Sequence, residues 1–357
     1  MEVGSEADEV GGHLMGMVKL GRAKKVGSAF QAPVPTTLGG LRMMFKVLPL
    51  YLTNKAEKTP AVAPGPFVTD ASVFRQGPES GLRVTWFGHS SMLVEIDGVT
   101  LLVDPVWDER AGPVSWAGPK RFFAPTLGLA QMPRLDAVLI SHDHYDHLGK
   151  STVQKLAKLQ PAARWIVPVG VGKIVRGFGV AEGRVTELDW TQSTTVQGQE
   201  MGVEVEVTAV PARHFSGRSL WNRNHTLWEA FVLRGPKNRV YCGADTGLWD
   251  GFEAIAAEYG PFDLTMLEIG AFNELWKDIH LGPDGAAEAF ERLGGGVMMP
   301  VHWGLFDLAL HGWREPMERL TELAEERGIV LFSPEPGRPV EVVKGEEKVA
   351  DWWRVRQ

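Results

Sequence analysis

An α/β layered fold is predicted by three features of this sequence. Short apolar β-like runs separated by Gly-containing turns open its patterned region. Strand-like and helical runs then follow one another to the C-terminal quarter. No internal repeat or low-complexity tract interrupts them. Antiparallel strands followed by a mixed β/α pattern suit sheets packed together with helices outside.

The elements are expected in this order. Residues 1–40 are rich in Gly, Ala, Ser and charge without periodicity, and read as a poorly ordered arm or a wrapping extension. Residues 41–52, LRMMFKVLPLYL, are apolar enough to dock, either on the core or as a patch facing lipid or a second copy in a homodimer. Residues 55–80 carry four prolines and read as a surface linker. Strands are expected at 82–87, 91–96 and 99–103, then at 137–140, 164–168, 203–210, 229–234, 239–243, 263–269, 297–301 and 329–332. Helices are expected at 151–159, 250–258, 283–293 and 314–327, the third opening with Pro283 and Asp284, which suit a first turn. This divides the chain into an extension and linker at 1–80, one domain at 81–340, and a tail at 341–357. The Trp352-Trp353 pair is expected to pack the tail back onto the domain.

Composition limits the function classes. Hydrophobic content of 44% and charged content of 23% are those of a soluble globular protein. A net charge of −7 argues against nucleic-acid binding, which asks for a basic face. The single cysteine, Cys242, excludes an intramolecular disulfide and fits a reducing, cytoplasmic setting. It lies in an apolar run and is expected to be a buried core thiol. The most apolar segment, 43–52, is broken by Lys46 and Pro49 and is too short to span a bilayer. No secretory leader pattern opens the chain. Any metal site must therefore use nitrogen and oxygen ligands.

Such a site is visible in Ser141-His-Asp-His-Tyr-Asp-His147. Three of the chain's ten histidines and two aspartates fall within six positions, directly after the apolar run 137–140. Imidazoles and carboxylates together at a strand end suit zinc, iron or manganese. His142, His144, Asp146 and His147 are too few for two metals. Three further candidates follow predicted strands: His214 in Pro211-Ala-Arg-His214, Asp245 in Gly243-Ala-Asp-Thr-Gly247, and His302 in Pro300-Val-His-Trp-Gly304. Strand ends share one edge of a sheet, so these residues can converge there.

The set HxHxDH, a later His, an Asp in a GDT-like turn and a final His resembles the metallo-β-lactamase superfamily. This chain reads GADTG, with Ala244 before the Asp. The resemblance implies an αββα sandwich with one catalytic domain. It implies His142, His144 and His214 on one metal, Asp146, His147 and His302 on the other, and Asp245 bridging. Thr85-Trp-Phe-Gly-His89, Asp104-Pro105, Gly118-Pro-Lys-Arg121, Glu187-Leu-Asp-Trp190, Gly260-Pro-Phe-Asp263 and His302-Trp-Gly304, in that order, look like N-acyl-phosphatidylethanolamine-hydrolysing phospholipase D and its bacterial relatives over about residues 82–333.

That likeness implies a dinuclear hydrolase, with zinc favoured over iron or manganese. Its substrate would be a small or lipid phosphodiester, attacked in line by a hydroxide held between the metals. Two divalent cations less two aspartates and a hydroxide leave a cluster of about +1, which suits an anionic diester. Asp146, Asp245 and His280 are the expected catalytic residues. Tyr145, Arg218 and His280 are expected to meet substrate, although Gly217 stands where the family has a basic residue before Arg218. His89 is expected to hydrogen-bond a metal-bound aspartate. Trp221, Trp228, Trp276, Trp303 and Trp313 are candidates to line an acyl channel. A lipid substrate also implies peripheral membrane contact. A lactonase or carboxylic-ester hydrolase on the same fold, and a non-catalytic metal-bound scaffold, are the competing readings.

Overall fold

The computed structural model describes residues 18–38, 41–219 and 221–354. Residues 1–17 of the expected arm and 355–357 of the tail lie outside the described residues. Residues 18–38 form the wrapping extension. They carry a small hairpin, β1 (Lys25–Val26) and β2 (Ala29–Phe30), and Val18, Leu20, Phe30 and Val34 pack against the main core. The apolar segment becomes α1 (Leu41–Thr53) and holds Pro49 inside it, four residues before its end. Residues 54–80 then cross the surface.

Three antiparallel strands follow: β3 (Leu82–Trp86), β4 (Met92–Ile96) and β5 (Val99–Val103). The chain continues through β6 (Ala137–Leu139), α2 (Lys150–Leu159), β7 (Arg164–Pro168), α3 (Val171–Gly177) and β8 (Val185–Leu188). A second run holds β9 (Ser193–Gln197), β10 (Glu204–Val210), β11 (Ala230–Arg234) and β12 (Arg239–Cys242). It is completed by α4 (Gly251–Tyr259), β13 (Leu264–Glu268), α5 (Gly282–Arg292) and β14 (Val297–Val301). The chain ends with α6 (Glu315–Arg327), β15 (Phe332–Ser333), β16 (Pro339–Glu341) and β17 (Lys348–Val349).

These strands build two main sheets, ordered β16-β3-β4-β5-β6-β7-β8 and β14-β13-β12-β11-β10-β9. Pairing is antiparallel from β16 to β5 and parallel from β5 to β8. The second sheet repeats this change: antiparallel from β9 to β12, parallel from β12 to β14.

Side-chain alternation separates the layers, because successive residues of a strand point to opposite faces. Val94, Leu101, Val103, Ala137 and Leu139 join the core between the sheets. Leu93, Leu102 and Val138, one residue out of phase, join Val153, Leu156, Val171 and Val175 of α2 and α3 on the outer face. On the far side α5 packs on β13 and against α4 and α6. The architecture is the αββα sandwich that the resemblance implied. Cys242 is a buried free thiol. No helix among the described residues is long and apolar enough to cross a membrane.

Candidate metal centre

The candidate ligands sit just beyond the C-terminal ends of β6, β10, β12 and β14. β10 and β12 are both antiparallel to β11, so their ends emerge on one edge, and β13 and β14 run parallel to β12. The first sheet brings its loop 141–147 to the facing edge. The site thus lies across the seam between the two sheets. Chain conformation is unusual here. His89, Asp104, Ala244 and His302 adopt positive φ of 53°, 41°, 51° and 63° without being glycine. Strain of this kind persists where surrounding contacts enforce it, typically at functional sites.

Of three sets of four residues that each bring one ligand atom within 4.8 Å of one another, two hold the candidate ligands. One is His142, His144, His214 and Asp245; the other is His89, Asp146, His147 and His302. The Asp245 carboxylate spans them. Its Oδ2 lies 3.8 Å from His142 Nε2 and 3.7 Å from His214 Nε2. Its Oδ1 lies 3.2 Å from His147 Nε2 and 2.9 Å from His302 Nδ1. His147 Nε2, Asp245 Oδ1 and His302 Nε2 are nevertheless buried without a hydrogen-bond partner. Such atoms are costly to leave unpaired.

These residues fit divalent cations. Burial, with His147 and His144 nearby, holds His142 well below the usual histidine range, and burial does the same for His214 against the pull of Asp245. Neutral imidazole is the form a metal ligand takes. His147 departs from this, because burial is outweighed by Asp245, Asp146 and Asp104, which hold its ring well above the usual range. Burial would raise Asp146 and Asp245, but the surrounding histidines, His147 foremost, hold both well below the usual carboxylate range. Burial and the adjacent His302 bring His89 down to about 3 despite Asp146 beside it. A neutral His89 can then give its one ring proton to Asp146 Oδ2, 2.9 Å from Nε2.

Several residues that support the candidate ligands had no site role assigned from the sequence. Asp104 accepts from Ser141 N (2.7 Å) and Ser141 Oγ (2.6 Å), and its Oδ2 lies 2.8 Å from His147 Nδ1. Ser90 Oγ meets His302 Nδ1 at 3.1 Å, and the Ile279 carbonyl meets His214 Nδ1 at 2.9 Å. Asp143 anchors the loop by accepting from Gly217 N and Thr226 Oγ1. Glu268, at the end of β13, accepts from Thr246 N at 2.7 Å and shares a 2.5 Å hydrogen bond with His280 Nδ1. The available signal was a lone carboxylate closing the otherwise uncharged strand 264–268.

A pocket of about 310 Å³ opens on the centre. His280 lines it with Arg223 and apolar Leu38, Phe215, Ile279 and Leu308. Trp276 also lines it. Trp228, Trp303 and Trp313 are buried in the core instead, and Trp221 is exposed. Tyr145 and Arg218, expected to meet substrate, face another way. Arg218 Nη1 donates to the carbonyl oxygens of Asp143 (2.7 Å) and Leu148 (2.9 Å), and Tyr145 Oη donates to the Arg218 carbonyl (2.8 Å). The guanidinium stacks 4.0 Å from the Tyr145 ring. The pair braces the metal loop from outside and lines a separate groove with Trp107, Lys150 and Phe178. The reason is local: the carbonyls of the buried residues Asp143 and Leu148 need donors, and Arg218 supplies them.

Comparison with known proteins agrees with this geometry. Residues 100–303, more than half of the chain, match the family model described as "Beta-lactamase superfamily domain". The chain is 47% identical over 322 residues to an uncharacterized protein, Rv0906, of Mycobacterium tuberculosis, covering 89% of this chain and 83% of that one. It is 38% identical over 256 residues to N-acyl-phosphatidylethanolamine-hydrolyzing phospholipase D 1 of Caenorhabditis elegans, covering 70% and 71%. Among solved structures, Igni18, a metallo hydrolase of Ignicoccus hospitalis, superposes with a TM-score of 0.54 at 21% identity, covering 75% of this chain and 99% of that one. Fold, clustered His and Asp residues and family match together show that the chain belongs to the metallo-β-lactamase superfamily, as a metal-dependent hydrolase.

Proposed function

We propose that this protein is a phosphodiesterase of phospholipase D type, working with two divalent cations, zinc the favoured pair. One observation carries the reading: the Asp245 carboxylate faces both ligand sets, one oxygen to each. His142, His144 and His214 would hold one cation and Asp146, His147 and His302 the other, with His89 hydrogen-bonded to Asp146. When bound, such a pair lowers the pKa of water toward about 7 and stabilises the attacking and leaving oxygens of an in-line displacement. The chain's own part is to exclude bulk water with the apolar wall around Phe215, Ile279 and Leu308, to offer Arg223 and His280 to the phosphate, and to orient the leaving group against His280. The likeness to the nematode phospholipase supports a diester over a lactone or carboxylic ester.

A lipid substrate also gives α1 a role. Phe45 and Leu52 are 71% and 76% exposed, and Tyr51 of the same helix donates to Asp307, beside Leu308 of the pocket wall. Phe45→Ser should then lower turnover of vesicle lipid while sparing a soluble diester.

The direct test is the metal-loaded protein on bis(p-nitrophenyl) phosphate, N-acyl-phosphatidylethanolamine vesicles and a lactone panel, beside Asp245→Asn. Diester turnover is expected, and Asp245→Asn should lose it together with bound metal. Lactone turnover without diester turnover would reassign the reaction.

A further inference from the structure

We propose that Glu268 is a positioning residue that locks the His280 imidazole in the pocket and ties it to the turn carrying Asp245. This rests on the reading of His280 as a substrate-facing group. Glu268 is fully buried at the end of β13, and its two oxygens are divided between two tasks. Oε1 accepts from the backbone N–H of Thr246 (2.7 Å), next to Asp245, and of Leu281 (3.3 Å), next to His280. Oε2 is engaged with His280 Nδ1 at 2.5 Å. One carboxyl group thus joins three chain segments that are distant in sequence.

The geometry also separates this arrangement from a further metal site. Asp245, Glu268, His280 and His302 do offer ligand atoms within 4.8 Å of one another. At 2.5 Å the contact between Glu268 Oε2 and His280 Nδ1 is shorter than the 2.9 Å separations between His142 and His144 and between Asp245 and His302 in the candidate centre. The contact between Glu268 and His280 is a hydrogen bond. With Nδ1 committed, Nε2 is the one remaining ring nitrogen, and the ring lines the metal-facing pocket, stacked 5.3 Å from His302. A partner on one ring nitrogen sets the orientation and tautomer at the other, as the buried carboxylate does in a catalytic triad.

Glu268→Gln tests this, because the glutamine carbonyl still accepts from Thr246 and Leu281 while an amide faces His280. In the metal-loaded protein the ¹⁵N resonances of the His280 ring should move and the metal content should not. On bis(p-nitrophenyl) phosphate, kcat should fall about 10–100-fold, the usual cost of losing an outer partner of a site residue, with KM little changed. His280→Ala with Glu268→Gln should be no slower than His280→Ala alone. In the unaltered protein the proton shared between Glu268 Oε2 and His280 Nδ1 should resonate far downfield, a readout that needs no variant. Unmoved ring resonances, additive losses, or a loss that tracks missing metal would overturn the assignment. Absence of diester turnover in the unaltered protein would overturn the phosphodiesterase reading alone, since the ring resonances still decide the role of Glu268.

Discussion

At the scale of single residues, the ligands and their supports obey different constraints. Metal binding demands imidazole or carboxylate at each ligand position, so His142, His144, Asp146, His147, His214, Asp245 and His302 stand out as candidate ligands from residue type and local setting. Their supports need only a hydrogen-bonding atom at the right place, and many residue types supply one. Asp104, Ser90 and Glu268 were therefore not legible as site residues, although Asp104 takes three contacts from Ser141 and His147. That arrangement sets the first prediction. Asp104→Asn keeps the shape but puts an amide opposite His147 Nδ1. Outer partners of this kind are worth about 10–100-fold in metal affinity. If two metals bind as proposed, titration against a competing chelator should show the loss confined to the one on the His147 side. Equal weakening of both would mean that Asp104 merely stabilises the loop.

At the scale of elements, strands with alternating apolar residues were placed to within a residue or two, and the short or polar ones were not. β9 reads STTVQ with mostly accessible positions, β16 has three residues, and neither offers an apolar period. The N-terminal strap, residues 18–38, shows no periodicity in the sequence, and polar contacts join its apolar side chains in attaching it. Thr37 N donates to Asp278 Oδ2 (2.9 Å), and Arg213 Nη2 pairs with Asp278 Oδ1 (2.8 Å) while donating to the Pro35 carbonyl (2.9 Å). This clasp ties the strap to the loop that carries His280. Burial would raise the Asp278 carboxyl, but the Thr37 and Arg213 contacts outweigh it and hold the group below its usual range. The sign follows from linkage: a depressed carboxylate pKa adds stability above the unfolded value of about 3.9, and the gain is lost as pH falls through the folded value. Asp278→Asn should thus speed hydrogen exchange at the Thr37 amide and across 18–38 at neutral pH, leaving the sheets unchanged. The difference from the unaltered protein should hold constant from pH 8 to about 5 and shrink only below the unfolded pKa. A difference growing toward acid would reverse the sign and exclude the clasp.

At the scale of the whole molecule, two sheets with one pattern of strand directions meet at a shared edge, and the centre is assembled from both. The first sheet contributes His89 and the 142–147 loop; the second contributes His214, Asp245, Glu268 and His302. The correspondence lies in strand order and direction, not in residue identity, so no repeat was visible in the sequence, and the αββα arrangement came from family resemblance rather than periodicity. The placement has a thermodynamic consequence. Buried donor and acceptor atoms of His147, Asp245 and His302 face the seam without a hydrogen-bond partner, one side from each sheet. Cations held there would join the halves, and the unfolded chain has no preformed site to compete for them. A ligand that binds only the folded state stabilises it by about 2.7 kcal/mol at a hundredfold excess over Kd and about 4.1 at a thousandfold. Chelation should therefore lower the unfolding midpoint of the whole domain in one cooperative step, and zinc should restore it in a concentration-dependent way. Asp245→Asn, which removes the group facing both sets, should show a much smaller zinc response. If chelation instead released only the 141–147 loop, with both sheets melting at an unchanged midpoint, the centre would belong to one half of the molecule and the seam would hold without it.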